Sequence, residues 1–178
     1  MTRYQLAKLV TWAGTMHGRK RLQKVAFLLQ AVGCPLEEDF FLHFYGPYSE
    51  GLARRTDELV REGLFAETMA DEGPVQRYSY RLTETARRQL DELEQTERGQ
   101  RFAAQLAPFE PLARSLVNDD LKDLEIAATV FFFREQSKDW AEALQKTRAF
   151  KHLSAESPLL ARGENLARKV EAGGRPAH

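Results

Sequence analysis

Residues 46–83 read GPYSEGLARRTDELVREGLFAETMADEGPVQRYSYRLT, and their punctuation decides the fold. Gly46-Pro47-Tyr48-Ser49 predicts a turn that ends in a helix cap. Gly and Pro set the bend, and the Ser49 hydroxyl can accept from a free amide of the first helical turn. Glu50 then sits at the positive end of the helix dipole. Leu52, Thr56, Leu59 and Val60 recur at helical spacing, so a helix runs to about Glu62, where Gly63 stops it. Residues 64–68 and 76–82 read as two strands. The polar stretch 69–75, with Asp71-Glu72-Gly73-Pro74, reads as the hairpin loop between them. Thr83 caps the next helix.

Working outward, Tyr4, Leu6, Leu9, Val10 and Trp12 predict a first helix that Gly14 ends. A second helix spans about residues 19–32. Its stripe of Leu22, Val25, Ala26, Leu28 and Leu29 turns Lys20 and Lys24 outward. Pro35 and the acidic run 37–39 form a loop, and the aromatic-rich stretch 40–45 reads as a strand. Beyond Thr83 the chain reads as helical throughout. Pro108 and Pro111 punctuate residues 98–117, Asp119 or Asp120 caps an apolar helix over 121–134, and helices follow near 138–147 and 156–170. The tail from Glu171 reads as disordered. Helix, strand, capped helix and hairpin make the outline of a winged helix, with 69–75 as the wing. The expected fold is therefore mainly α (α+β). A winged-helix-like domain with a three-stranded β element covers 1–97, a helical region packed on it covers 98–170, and a tail covers 171–178.

Composition agrees with a globular chain: 178 residues, 43% hydrophobic and 29% charged. No apolar stretch approaches the roughly 20 residues of a membrane helix. Cys34 is the only cysteine, so no intramolecular disulfide forms, and a reducing cytoplasm is the expected compartment. Lysine plus arginine and aspartate plus glutamate each number 26, a formal charge of zero. The charges are nevertheless segregated. Residues 1–36 carry six cations and no acid, and residues 37–75 carry ten acids against three arginines. Such poles suit an electrostatic surface, or two solvated faces that partly neutralise each other.

Three stretches carry a resemblance. Residues 19–29, RKRLQKVAFLL, are similar to a "KLQKLVYLL" opening. Residues 44–49, FYGPYS, match a "YGPYS" turn, and residues 59–64, LVREGL, follow at the expected distance. Together they resemble the YwgA-like proteins and, more distantly, the Panacea-domain antitoxins of the SocA type. Residues 18–83 carry nearly all of it, with a weaker echo in residues 124–133, 140–144 and Lys151. The resemblance implies a winged-helix-like fold and work in regulation, toxin neutralisation or defence-linked complexes. It brings no catalytic residues with it.

The strongest local feature is the basic run Arg19, Lys20, Arg21 and Lys24. Cations at a helix N-terminus oppose the dipole, and a bound phosphate offsets that cost. The run reads either as a phosphate contact or as a solvated basic face. In the first reading Arg54 and Arg55 of the capped helix and Arg77 beside the wing extend a nucleic-acid footprint. Against it, the outward face of helix 49–62 alternates acids and arginines, a pattern that also makes intrahelical ion pairs. The alternative to DNA is a protein partner or a second copy of the chain, with Tyr48 and Phe132 as contacts. Phe131-Phe132-Phe133 turn about 100° apart on a helix and cannot all face one core. No histidine pair has metal spacing, and no phosphate-binding or nucleophile motif is present. The expected function is a non-enzymatic winged-helix protein that binds nucleic acid through its basic helix, as a regulator or a component of a defence-type system, with a protein-interaction module (antitoxin or adaptor subunit) as the alternative; no cofactor, metal, membrane or small-molecule substrate is expected.

Overall fold

The computed structural model describes residues 1–72 and 75–174. Helix α1 (Arg3–Ala13) opens on a capping box: the Thr2 hydroxyl accepts from the Gln5 amide, and the Gln5 side chain accepts from the Thr2 amide. Two residues, Met16–His17, then form strand β1. Helix α2 (Arg19–Ala31) follows from Gly18 with no side-chain cap. Residues 22–29 of α2 are all buried. It is thus a central helix packed on every side, whereas the stripe read from the sequence left Lys24 outside.

The next segment departs from expectation. Strand β2 (Phe41–His43) turns at Phe44-Tyr45 and pairs with strand β3 (Gly46–Tyr48), in the register Phe41↔Tyr48, Leu42↔Pro47 and His43↔Gly46. The residues read as a turn are therefore the second strand of a small hairpin. Pro47 fits because a two-stranded ribbon has edges that need no amide. Gly46 is required twice over: its φ is 88°, and a Cβ there would lie 2.7 Å from Thr129 Oγ1.

Helix α3 (Glu50–Arg61) starts as predicted, with the Ser49 hydroxyl accepting from the Leu52 amide, and buries Leu52, Thr56 and Leu59. Strands β4 (Phe65–Glu72) and β5 (Val75–Leu82) form one antiparallel ladder from Phe65↔Leu82 to Glu72↔Val75. The strands reach further than the sequence predicts, so most of the expected loop 69–75 belongs to them, and Gly73 and Pro74 lie outside the described residues. The sheet order is β1-β5-β4, with Met16 opposite Tyr80. The third strand of the sheet is therefore β1 and not residues 40–45. A two-residue strand carries no readable periodicity.

Helix α4 (Glu84–Glu94) is capped by Thr83, and helix α5 (Glu97–Leu106) by Thr96. A short 3₁₀ turn (Ala107–Phe109) leads into helix α6 (Glu110–Leu116), each with a proline as its second residue, where the missing amide costs nothing. Asp120 caps helix α7 (Leu121–Ser137), which packs against α2, helix α8 (Trp140–Phe150) and helix α9 (Pro158–Gly173). Gly163 lets α9 close on α7, because a Cβ there would collide with Ile126. Helix α9 continues to Gly173, so residues 171–173 are helical where a tail was expected. Residues 175–178 lie outside the described residues.

The three phenylalanines find three separate neighbours within the chain. Phe131 meets Trp140 at 6.0 Å, Phe132 meets Phe27 at 6.2 Å and Phe133 meets Phe150 at 6.1 Å. The molecule is mainly helical, with a three-stranded antiparallel sheet, a separate two-stranded hairpin and a helical C-terminal region. One core cluster runs from Leu6 through Leu28 and Leu29 to Leu124 and Val170. Among the described residues, no helix is long and apolar enough to cross a membrane.

Candidate functional site

The basic run at the start of α2 disperses in three directions. Arg19 donates to the Tyr80 hydroxyl at 2.7 Å and to Glu67 at 3.1 Å, and it pairs with Asp57 at 3.1 Å. It thereby ties α2 to α3 and the sheet. Arg21 turns the other way and donates to the carbonyls of Val117 and Asp119, at 3.0 and 2.5 Å. Burial lowers its affinity for a proton. Both arginines thus satisfy groups of their own chain.

Gln23 and Lys24 form a clasp on the β2–β3 hairpin. The Gln23 amide donates to the Ser49 carbonyl at 2.9 Å, and its oxygen accepts from the Ser49 amide at 2.8 Å. Lys24 Nζ donates to the Pro47 carbonyl at 2.7 Å. Lys24 is 2% exposed, a correction to the outward position read from the sequence. Helical spacing placed it on a flank, and the hairpin covers that flank. Burial pushes the Lys24 ammonium down to about 8; Glu125 opposes the shift, and Lys151 and Lys20 add to it. Lys151 reaches the same hairpin from just past the C-terminal end of α8, donating to the Phe44 carbonyl at 3.4 Å.

The remaining predicted residues divide between surface and scaffold. Lys20 lies 3.3 Å above the Tyr45 ring and 4.0 Å from Glu125. Arg55 donates to the buried Glu38 carboxylate at 3.1 Å, which also accepts from the Ser49 hydroxyl at 2.8 Å. Arg54 on α3 is exposed, as is Arg77 on β5. Tyr48 is half-buried, with ring contacts to Phe41 and His43 at 5.7 and 5.6 Å. Phe132, expected at a partner surface, lies against Phe27 and Phe133. Among the predicted phosphate contacts, Arg19, Arg21, Lys24 and Arg55 hydrogen-bond to groups of other elements, and Lys20 meets Tyr45 and Glu125.

What the sequence reading passed over is the display of aromatic rings. Phe44 is 81% exposed at the hairpin turn, and Phe41 and Tyr45 are 45% and 47% exposed beside it. Single exposed apolar residues are ordinary, but three on one short hairpin form a patch. Below them a cleft of about 470 Å³ opens between α2, the hairpin and α3, lined by Lys20, Lys24, Phe41, Tyr45, Tyr48 and Asp57 among others. The signal for the patch was present in residues 40–45, but a strand in the main sheet would have buried alternate rings. Among the described residues no cluster of His, Cys, Asp and Glu could hold a metal ion. The Cys34 thiol is buried, which pushes it up to about 12.

No family model matches the chain. It is 30% identical over 165 residues to the uncharacterized protein YwgA of Bacillus subtilis, an alignment covering 84% of this chain and 96% of the relative. The match bears on the YwgA-like part of the resemblance alone. The clasp residues Gln23 and Lys24, and the Gly46-Pro47-Tyr48-Ser49 strand they grip, are the stretches on which that resemblance was read.

Proposed function

The chain belongs to the YwgA family, and we propose that it is a non-enzymatic protein-interaction module whose docking element is the β2–β3 hairpin. One observation carries the reading: three neighbouring rings, Phe41, Phe44 and Tyr45, are held out to solvent by a hairpin whose backbone is gripped from α2 and α8. Exposed aromatics on a fixed backbone supply large contact area at little ordering cost, which is the make-up of an interface hot spot. A protein partner at this site fits an antitoxin or adaptor subunit working in the cytoplasm.

Photocrosslinking tests the reading. Benzoylphenylalanine placed at position 44, in the native host, should give one crosslinked species of defined mass. The same group at Arg101 on α5 should give none. Absence of a crosslink from position 44 in folded protein, or an equal yield from both positions, overturns the proposal.

Nucleic-acid binding is the second reading. Its support is the order of the main-sheet elements and their helices, α1-β1-α2-α3-β4-β5 with the β2–β3 hairpin inserted between α2 and α3, which is the order expected of a winged helix apart from that hairpin, together with the exposed Lys20, Arg54 and Arg77. It expects duplex DNA to be shifted at about 150 mM salt and released by Lys20→Glu with Arg54→Glu. An unshifted duplex removes it. The mixed charge of α3 and the internal partners of Arg19, Arg21, Lys24 and Arg55 favour the protein partner.

A further inference from the structure

The cleft beneath the hairpin has a composition that docking alone does not explain. Lys24 is a buried cation with no carboxylate in ion-pair distance among the described residues. One of its three N–H groups donates to Pro47, and the other two have no partner among the described residues. Leaving an ammonium so placed is costly, since a buried charge wants a counter-charge and filled hydrogen bonds. Lys20, four residues earlier on the same helix, lines the cleft too. Around them Lys20, Lys24 and Lys151 share one carboxylate, Glu125, whose contacts to Lys20 and Lys151 are both 4.0 Å. The α2 side of the cleft therefore carries surplus positive charge.

The hairpin side is aromatic: Phe41, His43, Tyr45 and Tyr48 all line it. Such a wall takes either a cation or a flat ring. A cation is excluded by the lysines, since Lys20 already occupies the Tyr45 face and Lys24 lies beneath. Two adjacent ammoniums suit a dianion better than a single carboxylate. The volume of about 470 Å³ lies within the usual range for small-molecule sites. On the α3 side, Asp57 is tied to Arg19, and Glu50 keeps an anion toward α2.

We propose that this cleft binds a nucleotide, with the base packed on Phe41 and Tyr48 and the phosphate held by Lys20 and Lys24. The chemistry is shared by a free mononucleotide and by the 5′-phosphorylated end of a single strand. The cleft adjoins the docking patch and shares Phe41 and Tyr45 with it, whereas Phe44 at the hairpin turn lies outside the cleft lining.

Calorimetry on the full chain tests it, with AMP, adenosine, inorganic phosphate and a 5′-phosphorylated thymidine trinucleotide as probes. AMP or the trinucleotide should bind at least tenfold tighter than adenosine or phosphate alone. Lys20→Ala and Tyr48→Ala should each weaken that binding at least tenfold, and Arg101→Ala should leave it unchanged. Lys24→Met should abolish it, and circular dichroism checks that the variant folds. Binding of AMP alone, or of both ligands, assigns a free nucleotide. Binding of the trinucleotide alone assigns a strand end. No binding of either at millimolar concentration overturns the proposal. So does equal binding of AMP and adenosine, or undiminished binding by folded Lys20→Ala.

Discussion

The molecule contains two hairpins, and they are built on opposite principles. The β4–β5 hairpin stabilises itself through a ladder running from Phe65↔Leu82 to Glu72↔Val75, and β1 flanks it. Its neighbours see mainly a regular sheet face, with Tyr80 and Phe65 buried. The β2–β3 hairpin has the three pairs Phe41↔Tyr48, Leu42↔Pro47 and His43↔Gly46, too few to persist in water unaided. It is held by polar side chains from helices: Gln23 on Ser49, Lys24 on Pro47 and Lys151 on the Phe44 carbonyl. A self-sufficient ladder can bury its rings, whereas a hairpin gripped by its backbone leaves its rings available. The first is scaffold and the second is the candidate site.

Substitutions should separate the two. The largest effect is expected from Gln23→Leu, which strands a buried amide and a buried carbonyl of Ser49. At about 1–3 kcal/mol for each orphaned group, urea denaturation should register a loss of about 3 kcal/mol.

Lys24 gives an effect that depends on pH. Its folded value of about 8 lies below the unfolded value of about 10.4. Between those values the unfolded chain holds a proton that the folded chain has released, so this group makes stability rise with pH across that window. The stability of the native chain relative to Lys24→Met should therefore rise by about 3 kcal/mol from pH 7.5 to pH 10.5, measured by urea denaturation at each pH. A pH-independent difference would mean that Lys24 carries no buried charge.

Lys151→Met removes one grip of the hairpin, at 3.4 Å, and should cost about 1 kcal/mol or less by the same denaturation measurement. The smallest effect is expected from Phe44→Ser. Its ring is exposed, so stability should change by no more than about 0.5 kcal/mol in thermal unfolding. A large loss there would make the ring part of the scaffold and remove the contrast between the hairpins.

Local chemistry made much of the scaffold legible in advance. Ser49 and Thr83 are caps, Asp120 is a cap, and the helices around them lie where the apolar spacing placed them. Burial decided what was missed. Periodicity assigns a residue to a face of its own helix but does not say which faces a neighbour covers. Lys24 was therefore read as solvent-facing, although the hairpin and Pro47 close over it. Strand β1 has no readable signal because Met16 and His17 gain strand geometry only by pairing with Tyr80 and Ser79, far along the chain. Gly46-Pro47-Tyr48 was read as a turn from its composition. It is a strand because Phe44-Tyr45 turns first and because only glycine fits against Thr129. The basic run was visible as charge, but its acidic partners Asp57 and Glu67 come from elements that approach only in the fold.

Helix side chains, and not its own ladder, hold the β2–β3 hairpin in place. Backbone ¹⁵N relaxation of the native chain and of the Gln23→Leu, Lys24→Met double variant tests it most directly. Order parameters of about 0.85 are expected for residues 41–48 in the native chain and below about 0.6 in the variant, with residues 65–70 and 77–82 unchanged. A hairpin that stays rigid in the folded double variant would contradict it.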